Sequence, residues 1–334
     1  MAARPRAAFA MATRTARQLL HPAAVERIRS AVDIDPAVVL DGFDGAAAHL
    51  ADVELLITGW GCARLTEDVL AAAPRLRAIV HTAGTVRHHV TEACWERGIV
   101  VSSAAAANAV PVAEYAVAVI LLAGKRVLDI ARRFRAERVQ HDWNALHPDA
   151  GNYRTTVGLL GASLVGRRVA NLLRPFDLEV LLHDPYVADD DVRALGAEPV
   201  GLDELFTRSG VVSLHAPLLP ETTGMVDARL LGLMRDDATL LNTARGGLVD
   251  AAALEREVLS GRLRAVLDVT SPEPLPADSP LWDCDGVVLT PHIAGSKGNE
   301  LRRLADAAAA EVQRWVAGRP FAHPVRRDLL PLSA

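Results

Sequence analysis

The chain has 334 residues, half of them hydrophobic (50%) and 23% charged, with a formal net charge of −5. A single core stops growing near ~250 to 300 residues, so two domains are expected, and this balance of apolar and charged side chains excludes a disordered chain. With a pI of about 6.1 and no basic stripe interleaved with aromatics, nucleic acid is set aside as a partner.

Met1 to Arg17 is rich in Arg and Ala and superficially resembles a transit peptide. Both residues are abundant throughout, however, and Arg6 to Met11 serves better as a first strand. Ala7 to Met11, Ala16 to Val32, Val53 to Thr58, Thr66 to Ala73 and Leu76 to His81 read in turn as strand, helix, strand, helix and strand. Thr66 offers an N-cap before Glu67 and Asp68, and Pro74 stops that helix. Thr91 to Arg97 is a short helix closed by Gly98 before the run Ile99 to Val101. His81, His88 and His89 have no carboxylate or cysteine to complete a metal set, so no metal is expected. Cys62, Cys94 and Cys284 are odd in number and far apart, which suits a reducing, cytoplasmic compartment and no structural zinc.

Ala109 to Phe134 carries one long helical period with Pro111 tolerated in its first turn, and such a helix can pass from one domain to the next. Its apolar part, Val110 to Gly124, is interrupted by Glu114 and falls short of the ~20 residues a bilayer requires, so no membrane segment is expected. Val139 to Arg154, with Trp143, has no clean period and reads as a loop or arm. Six short apolar runs follow: Val157 to Leu160, Glu179 to His183, Val211 to Leu214, Ala238 to Asn242, Arg264 to Val269 and Gly286 to Thr290. A last helix, Asn299 to Ala317, returns to the first domain.

The implied fold is α/β: two Rossmann-like or flavodoxin-like parallel-sheet domains, doubly wound, with a cleft between them. The expected boundaries put residues 1–107 and 296–334 in one discontinuous domain and 108–295 in the other. In such sheets ligands bind beyond the carboxyl ends of the strands. Arg245, Glu273 and His292 each lie just past a separate apolar run, so they are candidate site residues. Alone, an arginine after a strand is usually a surface ion pair, and a Pro-His at a strand end is usually a capped turn.

Gly161-Ala162-Ser163-Leu164-Val165-Gly166 follows one run and opens a helix, and Asp184 closes the next run, followed by Pro185. This is the setting of a dinucleotide site: Gly161 permits the tight turn, Gly166 lets helix and strand pack, and the helix start offers N–H groups to a pyrophosphate. A carboxylate at Asp184 accepts from the adenosine ribose and repels a 2′-phosphate, which favours NAD (NADH) over NADP. Ser163 stands where a glycine normally lets backbone approach the phosphates, and its side chain either pushes them outward or donates a hydrogen bond to them.

Asn242 to Asp250, Leu267-Asp268-Val269 through Glu273-Pro274, and Thr290 to Gly295 make the chain resemble the D-isomer-specific 2-hydroxyacid dehydrogenases. Asn108 to Glu114 and Val212 to Thr223 add two further matching blocks, and together the resemblance covers about Leu76 to Pro324. It implies a substrate domain built from both chain ends, a cofactor domain from the middle, and NAD-dependent reduction of a small anionic 2-oxo acid to a D-2-hydroxy acid. In those terms Arg245 grips the substrate carboxylate and polarises the carbonyl, His292 gives a proton to its oxygen, and Glu273 fixes the imidazole and stabilises the imidazolium. Asn108 and the backbone N–H groups around Ala83 and Gly84 add carboxylate contacts. Asp268 accepts from the nicotinamide carboxamide, while His215, Ala216, Pro217, Thr222, Thr243, Ala244 and Gly295 line the cofactor groove beside Arg245 and His292.

Family members commonly dimerise through the cofactor domain, so a homodimer is expected. The turn Val86-Arg87-His88-His89-Val90 departs from the family's acidic pattern. Facing the substrate, its cations would favour a second negative group such as a phosphate, phosphonate or carboxylate; the alternative is that they face water. Two alternatives share the fold: a formate- or phosphite-type dehydrogenase, and a non-catalytic NAD-sensing protein like the C-terminal-binding corepressors.

Overall fold

A computed structural model describes residues 4–332; the outermost residues of the expected discontinuous domain, 1–3 and 333–334, lie outside the described residues. The chain divides into two compact units, one running up to Asn108 and resuming at Ser296, the other running from Ala109 to Gly295.

The first unit holds β1 (Ala7–Ala10), β2 (Val39–Leu40), β3 (Leu55–Thr58), β4 (Ala78–His81) and β5 (Val100–Ser103), all parallel in the order β2-β1-β3-β4-β5. Successive side chains of a strand point to opposite faces, so a sheet covered on both sides is written as a continuous apolar run. Leu56 and Ile79 enter one core with Leu50 and Leu70, while Leu55, Ile57 and Val80 enter the other with Ile28, Ala308 and Val312. The helices Pro22–Ala31 and Leu301–Val316 supply those last three residues.

Two local expectations change. The span Ala16 to Val32 is two helices, Thr13–Leu19 and Pro22–Ala31, because Pro22 has no N–H to continue a helix and takes the first position of the next one. There His21 caps the start, its Nδ1 accepting from Ala24 N at 3.4 Å. Strand β2, two residues long, is too short to leave a period in the sequence.

The second unit holds β6 (Thr155–Leu160), β7 (Leu178–His183), β8 (Glu198–Pro199), β9 (Val211–Leu214), β10 (Thr239–Asn242), β11 (Arg264–Leu267) and β12 (Val287–Leu289), parallel throughout in the order β12-β11-β10-β9-β6-β7-β8. The chain winds outward from β6 to β8, then crosses back to β9 and winds the other way. The winding therefore reverses between β6 and β9, where connections leave in opposite directions and open a crevice at the carboxyl ends. Val157, Leu159, Leu241 and Val266 pack on one face and Leu160, Val212, Leu240 and Leu267 on the other.

The expected single helix Ala109 to Phe134 is two helices, Ala105–Gly124 and Val127–Glu137, parted at Arg126, whose φ of 54° is left-handed. Starting at Ala105, the first spans 20 residues with a mean hydropathy of 1.8 and is long and apolar enough to cross a membrane by composition. Packing accounts for part of that composition: Ala113, Ala116, Val119 and Ile120 are buried against β6 and β10 side chains. The arm from Val139 to Arg154 contains only the short helix Trp143–Leu146, and Val139, Leu146 and Tyr153 are exposed. Leu240 is fully buried on the interior strand β10, so Leu240→Ala is expected to lower the unfolding free energy by about 2–5 kcal/mol in a urea titration.

Candidate active site

Strands β12, β11 and β10 lie side by side, so the loops that follow them leave the same edge of the sheet. Arg245 follows β10, Glu273 follows β11 and His292 follows β12. Asn242 shapes the first loop: its Oδ1 accepts from Ala244 N at 3.0 Å and its Nδ2 donates to Arg245 O at 2.9 Å. Arg245 Nη1 donates to Ala244 O at 2.7 Å. Gly246 is required next, because a Cβ there would sit 2.1 Å from the carbonyl of Thr270. That contact sets the β10 loop directly against the start of the loop that carries Glu273.

His292 Nδ1 and Glu273 Oε1 are 2.8 Å apart, with both side chains about half exposed. His292 has a φ of 53°, a conformation that a non-glycine residue adopts at a cost of about 1–3 kcal/mol. Asp268, 2% exposed, holds it there. Its Oδ1 accepts from Ile293 N at 2.8 Å and Thr290 Oγ1 at 2.6 Å, its Oδ2 from Ala294 N at 2.9 Å, and its own carbonyl from His292 N at 2.9 Å. Hydrogen bonds to a charged group contribute about 1.5–3 kcal/mol each, so three of them outweigh the backbone strain. Tyr115 OH extends the set, 3.0 Å from Thr290 Oγ1.

At the reversal point, Gly161 has a φ of +100°, and a Cβ on it would meet Ala216 N at 2.6 Å. Asp184 braces this turn, its Oδ2 accepting from Ala162 N at 2.7 Å and its Oδ1 from Tyr186 N at 2.9 Å. Pro185 lies between those two contacts in the chain. Ser163 is the N-cap of the helix Leu164–Leu173, its Oγ accepting from Gly166 N at 3.3 Å, so the hydroxyl serves the turn while its own proton stays available to donate. A pocket of 350 Å³ is lined by Asp184, Asp189 and Glu204 together with Val187 and Val200.

The His215 ring is buried; its Nε2 is 2.9 Å from Ser213 Oγ, and burial pushes its pKa down to about 4. Thr222 Oγ1 donates to Pro217 O at 2.7 Å and accepts from Leu219 N, closing that loop on itself. Thr243 and Ala244 are buried, and Thr243 Oγ1 meets no partner among the described residues.

In the first unit, Asn108 Nδ2 lies beside Gly84, and its Oδ1 accepts from Ser296 N at 2.9 Å. Ala83 is buried at the end of β4 and its carbonyl accepts from Ala104 N. The three basic side chains of the 86–90 turn are placed differently from one another. His89 is buried and bonds Thr58, Arg87 donates to Leu330 O at 3.0 and 2.8 Å, and His88 alone of the two histidines is exposed. Among the described residues no group of three His, Cys, Asp or Glu side chains is placed to hold a metal. The sequence reading gave no positioning role to Asn242, Thr290 or Tyr115; the only signal was their place next to Arg245, His292 and the long helix.

A family model described as "D-isomer specific 2-hydroxyacid dehydrogenase, NAD binding domain" matches residues 117–294, more than half of the chain. The chain belongs to the D-isomer-specific 2-hydroxyacid dehydrogenase family. Within this dehydrogenase family it is 34% identical over 253 residues to a D-3-phosphoglycerate dehydrogenase of Mycobacterium leprae, covering 75% of this chain and 47% of that protein. It thus spans about half the length of that relative. A glyoxylate reductase of Korarchaeum cryptofilum is 32% identical over 253 residues, covering 75% of this chain and 76% of the reductase. The crystal structure of D-lactate dehydrogenase from Aquifex aeolicus, complexed with NAD and lactic acid, superposes with a TM-score of 0.70 at 28% identity, covering 94% and 96% of the two chains.

Asp268→Asn turns one acceptor oxygen into a donor facing an N–H or hydroxyl. It is expected to cost about 1–3 kcal/mol in denaturant unfolding and to speed amide exchange at Ile293 and Ala294.

Proposed function

We propose that this chain is an NAD-dependent reductase that converts a small 2-oxo acid to the D-2-hydroxy acid and runs the reverse oxidation with the same residues. The observation that carries the reading is the 2.8 Å contact between His292 Nδ1 and Glu273 Oε1, on loops leaving two adjacent strands of an NAD-binding sheet. The residues present suit the cofactor: the Gly161 turn leaves no room for a side chain, a helix start follows it, and the Thr243 hydroxyl is buried without a partner among the described residues. When bound, the nicotinamide supplies or accepts the hydride.

The protein's share is binding and proton transfer. With Nδ1–H donated to Glu273, the Nε2 of His292 carries the proton given to the carbonyl oxygen in reduction and taken back in oxidation. Glu273 steadies the imidazolium form by its negative charge. Arg245 pairs with the substrate carboxylate and polarises the carbonyl, a task for which a planar, permanently charged group is suited. Asn108 and the amides of Ala83 and Gly84 are proposed as further carboxylate contacts, and Asp268 as the acceptor for the carboxamide through the lone pair its protein donors leave over.

The carboxylates Asp184, Asp189 and Glu204 around one pocket support NADH over NADPH, since a 2′-phosphate would meet negative charge there. With His89 buried and Arg87 engaged by Leu330 O, only His88 of the three basic side chains of the 86–90 turn is exposed and outside such a contact among the described residues, which favours a monoanionic acid such as glyoxylate or pyruvate as the proposed substrate. The intact Arg, Glu and His set supports hydroxyacid chemistry over formate-type oxidation or a purely sensing role. Exposed Phe134, Val139, Leu146 and Tyr153 support a homodimer through the second unit.

NADH absorbance with glyoxylate and pyruvate tests the reading: turnover is expected, with His292→Ala losing about 10²- to 10⁴-fold in kcat. No turnover with any 2-oxo acid, or full activity in His292→Ala, contradicts it. Ser163→Gly should keep NADH affinity within about threefold, and NADPH should be used at least about tenfold less efficiently than NADH.

A further inference from the structure

Three polar side chains that this chemistry leaves unused are sealed together in the first unit. Thr58 ends β3 and His81 ends β4, paired in register, and His89 reaches them from the turn that follows β4. Thr58 Oγ1 is 2.9 Å from His81 Nδ1 and 3.1 Å from His89 Nε2, the two rings are 4.5 Å apart, and none of the three residues is more than 3% exposed. The main chain is fastened at the same place. Leu65 N donates to His89 O at 2.9 Å, and Thr82 Oγ1 donates to Thr58 O at 2.8 Å.

A hydroxyl has one proton to give and lone pairs to receive. It therefore satisfies both rings when one imidazole offers a bare nitrogen and the other an N–H. Protonating the ring that offers the bare nitrogen disturbs that count, because this nitrogen becomes a donor and the hydroxyl proton loses its acceptor. Between His81 and His89 the chain runs through Ala83 and Gly84, so fixing both histidines fixes where those two amides stand.

We propose that Thr58, His81 and His89 form a clasp that sets the conformation of the Ala83–Gly84 turn and thereby the affinity for the substrate carboxylate. The three are positioning residues, and the link to affinity rests on the reading of Ala83 and Gly84 as carboxylate contacts. Burial agrees with the proton count: it holds His81 well below the ordinary histidine value of 6.5 and pushes His89 down to about 4. The charges that bear on the pair are those of His89 and the exposed His88 on His81, and that of His88 on His89. Because both rings bind protons more weakly in the folded protein, the stability the clasp contributes is full above 6.5 and declines as pH falls below it, while in the folded protein the neutral arrangement persists until His89 takes up a proton at about 4.

The test combines kinetics with nuclear magnetic resonance of the full chain labelled with ¹⁵N-histidine. The His81 and His89 imidazoles, told apart from the equally buried His215 by the loss of one signal in His89→Leu, are expected to stay neutral from about pH 7 to about pH 5. Thr58→Val and His89→Leu should raise KM for the 2-oxo acid about tenfold while kcat and NADH affinity move less than about threefold. His89→Gln, whose amide can donate to or accept from the Thr58 hydroxyl, should restore KM and remove its rise on the acid side. Amide exchange at Gly84 and Thr85 should quicken at least about tenfold in Thr58→Val. That last readout holds even if no 2-oxo acid is turned over, which separates failure of the clasp from failure of the proposed reaction. Imidazoles that both titrate near 6.5, or unchanged exchange and KM in a folded Thr58→Val protein, overturn the proposal.

Discussion

Asp268 closes β11 almost without exposure, so its charge must be met inside the protein. The partners it finds are Thr290, Ile293 and Ala294, which bracket His292 in the chain. Satisfying one buried carboxylate therefore fixes the turn that presents the imidazole, and it does so with enough energy to keep His292 in a left-handed backbone conformation. Glu273 then needs only to reach across from the neighbouring loop. The exposed pair depends on the buried one: alone, a half-exposed Glu–His contact has little power to define a geometry.

The same pattern recurs at the other loops of the second unit. Asn242 uses both ends of its amide to shape the backbone on either side of Arg245. Asp184 uses both carboxylate oxygens to brace the Gly161 turn and the start of the following loop. In each case a short polar residue at or just past a strand end spends its hydrogen bonds on main chain. A strand end is where the ladder stops, so its neighbours' N–H and C=O groups need such partners. The first unit solves the equivalent problem after β4 with side chains, through Thr58 and the two buried histidines.

Most of the second unit was legible from sequence, because its strands are buried on both faces and write themselves as short apolar runs bounded by turns. The expected runs ending at Leu160, His183, Leu214 and Asn242 end where the strands do. Strands of two residues, β2 and β8, were not legible, since they leave no period to detect. The long helix was misjudged at both ends: its start at Ala105 adds alanines that look like loop, and its break at Arg126 depends on a left-handed residue that composition does not announce. Among candidate site residues, the strand-end positions of Arg245, Glu273 and His292 could be read from spacing. The partners of Asp268, and the burial of His89, could not. Both follow from three-dimensional hydrogen bonding between segments far apart in the chain, and a histidine two positions from an arginine reads as a cation until its burial is known.

The central claim is that Glu273 acts through His292, and a double-mutant cycle on kcat for 2-oxo acid reduction tests it most directly. His292→Ala, Glu273→Gln and the double variant are compared with the parent, each checked for folding and NADH binding. If the carboxylate works by orienting and steadying the imidazole, the double variant loses about as much activity as His292→Ala alone, with a coupling of roughly the whole Glu273→Gln effect. Losses that multiply, as for two independent sites, contradict the account.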